Sequence, residues 1–238
     1  MHAKLRFSYG TMASGKSLQV LTTAYNFEQR NIHFLIFKSS IDTRDGGDVI
    51  KSRIGNGIER ECISVAPDFN IFEYIKDYID KQTNNPKYKK MCSAKNGVYN
   101  EKSEDYTSYM EVNTSINNEL KWIIVDEAQF LTEEQVDQLS DIVDYLDIDV
   151  YCFGLRTDFK THLFPGSKRL FEIADKIDEI KSTCECGRKN SVNARMTKDG
   201  RLAISGAQTC VGGDELYTAI CRKCYKDKMK EQENEKEN

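Results

Sequence analysis

The chain has 238 residues, 39% of them hydrophobic, and its 34 basic and 38 acidic side chains leave a net charge of −4. This length allows one large domain with a small second one, and the apolar share is enough for a buried core. The acidic balance argues against a general attraction to nucleic acid, and no run approaches the roughly 18 apolar residues of a membrane helix. The first residues also lack a secretory pattern. We therefore expect a cytoplasmic protein with neither nucleic acid nor membrane as partner.

Strands and helices are predicted to alternate over the first 160 residues. The predicted strands cover 4–9, 32–38, 120–125 and 150–155, and the predicted helices cover 17–29, 71–81 and 132–146, with Thr132 as N-cap. Alternation of this kind is typical of a parallel sheet with helices on its faces. The predicted fold class is therefore α/β.

Residues 10–17, GTMASGKS, match the phosphate-loop pattern G-x-x-x-x-G-K-[ST] at every fixed position. Gly10 and Gly15 allow tight backbone turns that aim successive N–H groups at an anion. Lys16 can reach the β- and γ-phosphates of ATP, and the Ser17 hydroxyl can bind Mg²⁺. The predicted ATP and magnesium site comprises Gly10, Met12, Ala13, Ser14, Gly15, Lys16, Ser17 and Asp126.

Asp126 belongs to a second motif, in which an apolar strand ends in two carboxylates. Ligands of open α/β sheets bind at the carboxyl ends of strands, so Asp126 is predicted to hold Mg²⁺ and Glu127 to act as general base. A bland alternative is that both residues cap the next helix. The two motifs also leave the phosphate acceptor open, since water would make an ATPase and a substrate hydroxyl a kinase.

Two close cysteine pairs predict a second site near the C-terminus. Cys184 and Cys186 form C-x-C, and Cys221 and Cys224 form C-x-x-C. Four thiolates suit tetrahedral zinc and leave no open coordination position, so the metal is predicted to be structural. Free thiols or a redox pair are the alternatives.

These motifs together resemble the thymidine kinase family that joins a phosphate-loop domain to a zinc-binding lasso domain. The resemblance lies in residues 10–17, IDTR at 41–44, SRIG at 52–55, DEAQFL at 126–131, GLRTDF at 154–159, VGG at 211–213, Tyr217 and the cysteine pairs. It implies transfer of the ATP γ-phosphoryl group to the 5′-hydroxyl of thymidine, with deoxyuridine as a further acceptor. It also implies a homotetramer.

The resemblance assigns roles residue by residue. Glu127 takes the proton of the 5′-hydroxyl, and Arg44 steadies charge on the transferred group. Backbone near 192–194 and 210–212 hydrogen-bonds the base. The implied substrate-binding residues are Met12, Gln129, Phe130, Leu155, Phe159, Val211, Gly212 and Tyr217.

The domain organisation follows from a change of composition after Ile180. We predict a phosphate-loop kinase domain over 1–180, a zinc-binding lasso domain over 181–225 and a charged tail over 226–238. Residues 83–118 are polar and without period, which predicts a flexible insertion. A phosphate-loop ATPase and a zinc-ribbon module that binds nucleic acid are the rival hypotheses, the second because residues 188–201 are locally basic.

Overall fold

The computed structural model describes residues 2–43, 48–52, 58–84, 119–208 and 217–237. The strands are β1 (Leu5–Gly10), β2 (Phe34–Ser39), β3 (Val49–Lys51), β4 (Glu59–Glu61), β5 (Ile63–Val65), β6 (Trp122–Asp126), β7 (Asp149–Gly154), β8 (Lys176–Ile180), β9 (Val192–Arg195) and β10 (Tyr217–Ile220). The helices are α1 (Lys16–Glu28), α2 (Ile71–Asn84), α3 (Glu133–Leu146), α4 (Pro165–Ile173) and α5 (Arg222–Glu237), with a short 3₁₀ helix at Ala128–Phe130.

Six strands form one sheet in the order β5-β2-β6-β7-β1-β8, and all neighbours run parallel. The register pairs Lys38 with Asp126 and Tyr9 with Gly154. Because the strands are parallel, the ends of β1, β2, β6 and β7 meet at one edge of the sheet. The phosphate loop and the paired carboxylates therefore lie at the same edge, and the predicted α/β class is confirmed.

Helices cover both faces of this sheet. On one face α1 packs against Ile36, Ile124 and Phe153. On the other face α2, α3 and α4 bury a larger cluster that includes Phe7 and Ile123. Burial on both faces explains why the central strands are continuous apolar runs, which is how they were recognised in the sequence.

Each predicted strand and helix is present, with bounds shifted by up to three residues. Helix α3 starts after Thr132, whose side chain accepts from the Gln135 N–H while the Gln135 side chain accepts from the Thr132 N–H. Strand β8 was not predicted, because KIDEI is charged and lies at the sheet edge. Helix α4 and the short strands β3, β4 and β5 were also missed. Most of the predicted insertion, residues 85–118, lies outside the described residues.

The C-terminal part is a small unit built on the antiparallel pair β9–β10 and on α5. Its core consists of Cys184, Val192, Ala194, Leu202, Ile220 and Cys221. Helix α5 runs from Arg222 to Glu237, so the predicted start of a charged tail at 226 falls inside a continuous helix. Among the described residues, no helix has the length and apolar character needed to cross a membrane.

Candidate active site

The phosphate loop joins β1 to α1 and has a strained backbone. Ala13 and Gly15 both lie in the left-handed region, at φ 56° and 88°. A side chain at Gly10 would come within 2.4 Å of Ser14 Oγ and 2.9 Å of the Ile180 carbonyl oxygen. The two motif glycines are thus required for different reasons, Gly15 by its backbone angle and Gly10 by close packing.

Three side chains of the loop fit a bound triphosphate. Lys16 lies over the loop and donates from Nζ to the Thr11 carbonyl at 2.8 Å. Ser14 Oγ is buried without a hydrogen-bond partner among the described residues. Ser17 follows in the first turn of α1, whose N-terminus favours negative charge. An unpartnered hydroxyl, an ammonium and a helix N-terminus are a donor set suited to phosphate oxygens.

Strand β6 ends in the two carboxylates, and both are buried, Asp126 at 2% and Glu127 at 7% exposure. Burial raises the pKa of Asp126, and the neighbouring Glu127 charge raises it further, whereas the Glu127 N–H, Lys16 and Lys38 oppose that shift. A divalent cation would favour the ionised form by the same electrostatics. Two buried carboxylates of this kind fit the oxygen ligands that Mg²⁺ prefers.

Glu127 is held by its backbone and by Gln129. Its φ of 51° is rare for a residue with a side chain and starts the short 3₁₀ helix. The Gln129 amide donates to Glu127 Oε2 at 2.5 Å and accepts the Leu155 N–H at 2.9 Å. Gly154 leaves room for this amide, since a side chain there would come within 2.8 Å of Gln129 Oε1. One buried side chain therefore orients the carboxylate and connects it to the end of β7.

A buried ion pair lies beside these carboxylates and was not predicted. Lys38 is the residue before the end of β2, pairs with Asp126 in the sheet and contacts Asp42 at 3.3 Å, with both side chains almost inaccessible. Asp42 belongs to the IDTR segment, but nothing in the sequence marks Lys38 as more than an end-of-strand residue. Lys38 places a positive charge close to the predicted magnesium ligand Asp126, and Asp42 balances that charge.

Aromatic side chains lie in the segments that follow β6 and β7 and on β10. The Phe130 ring meets the Phe164 ring edge-on at 5.5 Å. Phe159 is buried, and the guanidinium of Arg195 stacks on its ring at 3.9 Å. Tyr217 lies opposite Arg195 in the β9–β10 ladder. Flat apolar walls of this type suit a nucleobase.

The four cysteines of the small unit converge. All four Sγ atoms lie within 4.8 Å of one another. The Cys224 N–H donates to Cys221 Sγ, and hydrogen bonding from that residue lowers the pKa of the Cys221 thiol. Four sulfurs at this spacing, one of them with a stabilised thiolate, fit a tetrahedral zinc ion.

Comparison with known proteins decides the family. A model of the family described as "Thymidine kinase" matches residues 3–80 and 71–225. The thymidine kinase of Mannheimia succiniciproducens is 37% identical over 95% of this chain and 96% of its own length. Those of Haemophilus influenzae strain Rd (37%; 95% and 97%) and Salmonella typhimurium strain LT2 (36%; 96% and 93%) are similar. The chain belongs to the thymidine kinase family.

Membership in the thymidine kinase family favours a kinase over the ATPase and zinc-ribbon alternatives. The structure places Asp126, Glu127, Gln129 and Leu155 in one hydrogen-bonded region at the end of β6 and β7. Met12 is joined to that region through Asn193 of β9, whose side chain bonds both the Met12 N–H and the Thr157 carbonyl.

Other predicted residues lie outside the described part of the chain. Arg44, Val211 and Gly212 are among them, so their roles stay predictions. Phe164, Asn193 and Arg195 were missed by the sequence reasoning. Phe164 follows the GLRTDF segment closely, which is a usable signal, but Asn193 and Arg195 are single polar or charged residues in a segment without periodicity.

Proposed function

We propose that this chain transfers the γ-phosphoryl group of ATP to the 5′-hydroxyl of thymidine, giving the 5′-monophosphate, with deoxyuridine as a second acceptor. The observation that carries the proposal is the Glu127–Gln129–Leu155 network. It links a buried carboxylate, next to the phosphate loop, with the apolar segment that follows β7.

The mechanism assigns one task to each group. Lys16 and the loop N–H groups hold the triphosphate, and Ser17 and Asp126 are the proposed magnesium ligands. Magnesium, when bound, neutralises charge on the phosphate oxygens. Glu127 removes the proton of the 5′-hydroxyl as its oxygen attacks phosphorus, and ADP leaves. Arg44 is proposed to stabilise charge on the group in transfer.

Gln129 is proposed to orient Glu127, the general base. Its amide N–H donates to Glu127 Oε2, and this contact is proposed to hold the carboxylate in the orientation that the proton transfer needs. The proposed walls of the nucleobase pocket are Met12, Phe130, Leu155, Phe159, Phe164 and Tyr217, completed by Val211 and Gly212. Apolar contact with the thymine methyl group would favour thymidine over deoxyuridine by about tenfold or more, as expected for one methyl group.

The four cysteines would hold structural zinc in the proposed lasso domain, residues 181–225, which is called the small domain below. The zinc ion would fix this domain over the nucleoside. We further propose a cytoplasmic homotetramer, because the resemblance implies that assembly. Sedimentation of the purified chain measures its mass and tests this point.

The experiment is Mg²⁺-dependent phosphate transfer from ATP with thymidine, a panel of other nucleosides and a control without nucleoside. Glu127→Gln should lower turnover by about 10²- to 10⁴-fold, the usual contribution of a general base, while ATP still binds. Glu133→Gln is the matched control, because that carboxylate is exposed on α3 and pairs only with Lys168 across 3.5 Å in the described contacts. ATP consumption that does not need nucleoside would overturn the proposal, and normal turnover by Glu127→Gln would remove Glu127 as the base.

A further inference from the structure

The small domain reaches the phosphate loop through one buried amide. Asn193 lies on β9 and is 4% exposed. Its Oδ1 accepts the Met12 N–H at 2.8 Å, and its Nδ2 donates to the Thr157 carbonyl at 3.0 Å. The amide oxygen is therefore bonded to the phosphate loop, and the amide nitrogen is bonded to the segment between Leu155 and Phe159.

A second contact holds the adjacent residue of the loop. Thr11 Oγ1 and Ser182 Oγ are 2.8 Å apart, and the Asn190 amide donates to the same Ser182 oxygen at 3.0 Å. The Thr11 carbonyl is bonded by Lys16. Two successive loop residues are thus fixed by side chains that follow β8 in the chain, outside the sheet.

These contacts act where the loop is strained. Ala13, immediately after Met12, has a φ of 56°, which L-residues rarely adopt without support from their surroundings. The Met12 N–H donates to Asn193, which fixes the Thr11–Met12 peptide plane, one peptide before that of Ala13. Removing the hydrogen-bond partner of a buried N–H destabilises the folded conformation, because water does not reach the N–H to replace the bond.

We propose that Asn193 is a positioning residue, assisted by Ser182, that holds the phosphate loop in the conformation that binds the triphosphate. The small domain then supports the ATP site as well as covering the nucleoside. The proposal rests on the proposed nucleotide site but not on the identity of the acceptor. It predicts that nucleotide affinity depends on Asn193 even without nucleoside.

The test is the Kd of Mg²⁺ with a non-hydrolysable imido analogue of ATP, measured by titration calorimetry on the full chain without nucleoside. Asn193→Leu keeps the side-chain size and leaves the Met12 N–H and the Thr157 carbonyl unpaired. We expect the Kd to rise about tenfold, which is the order expected for unpaired buried groups. Zinc content serves as the readout of a merely structural effect and should stay near that of the wild type, whereas the thermal midpoint should fall by several degrees because two buried groups lose their partners.

Thr218→Val is the matched control, because Thr218 is exposed on β10 opposite Ala194 in the same two-stranded sheet. If Asn193→Leu does not fold, Ser182→Ala replaces it, with an expected rise of about threefold, because one of the two hydrogen bonds lost from Ser182 Oγ is the one to Thr11 of the loop. An unchanged Kd in whichever variant folds, with wild-type binding intact, would overturn this inference alone. Wild-type protein that binds no Mg²⁺-nucleotide would instead overturn the proposed function, and this inference with it.

Discussion

The sheet domain and the small domain are stabilised in different ways. The sheet domain buries apolar residues on both faces, among them Phe7, Ile123 and Ile142, which are fully inaccessible. Among its described residues, the small domain has a core of six, two of which belong to the four-cysteine cluster. Hydrophobic burial therefore explains the first fold, whereas the second is expected to need the proposed zinc ion and a few specific polar contacts.

This difference separates the tasks of the two parts. The sheet provides rigid strand ends for Asp126 and Glu127, which need fixed positions for chemistry. The small domain contributes residues that touch the loop and the proposed base pocket from outside, such as Asn193 and Arg195.

The largest expected effect comes from the metal cluster. Cys221→Ser removes one of four ligands, so we expect loss of bound zinc, faster proteolysis within residues 181–225 and at least a hundredfold lower turnover with thymidine. Metal analysis of the purified protein measures the first outcome. Cys62→Ser is the control, because Cys62 lies between β4 and β5 and outside the cluster. Retention of one zinc per chain by Cys221→Ser would show that the cluster is not the metal site.

The second largest effect is expected from a core substitution in the sheet domain, which should lower stability and leave bound zinc in place. Ile142→Ala on α3 should lower the free energy of unfolding by about 2–5 kcal/mol, the usual range for such truncations in a core. Tyr145→Ala on the same helix is the control, because that ring is 75% exposed and should change stability by less than about 0.5 kcal/mol. Trp122, the single tryptophan, lies on β6 and reports this transition in urea by its fluorescence. Equal shifts for the two variants would contradict the assigned packing.

The same contrast explains what the sequence could predict. Strand β6 was predicted because burial on both sheet faces imposes a continuous apolar run. Helix α3 was predicted because its buried face imposes periodic apolar residues and its cap imposes Thr132 and Gln135. The cysteine cluster was predicted from chemistry and spacing. The contacts of Asn193, Arg195 and the Lys38–Asp42 pair were not predicted. Each depends on a partner that is distant in sequence or that a turn brings close, and no local pattern marks such a partner. The roles of Arg44, Val211 and Gly212 depend on family resemblance and stay predictions.

The smallest expected effect tests whether the small domain also shapes the proposed base pocket. Arg195 stacks on Phe159 and donates to the carbonyls of Ser205 and Ala207, so it connects the pocket wall to the chain that leads toward residue 209. Arg195→Met should raise the KM for thymidine by about three- to thirtyfold, which corresponds to roughly 0.5–2 kcal/mol for a cation–π contact, and should change the KM for ATP little. Arg201→Met is the control, because Arg201 makes exposed ion pairs with Asp199 and Glu235 on the same domain. Steady-state kinetics with each substrate varied in turn measures the KM for thymidine and the KM for ATP separately. A parallel rise in both KM values would mean that Arg195 acts on the domain as a whole, and the assignment of Phe159 to the pocket wall would lose its support.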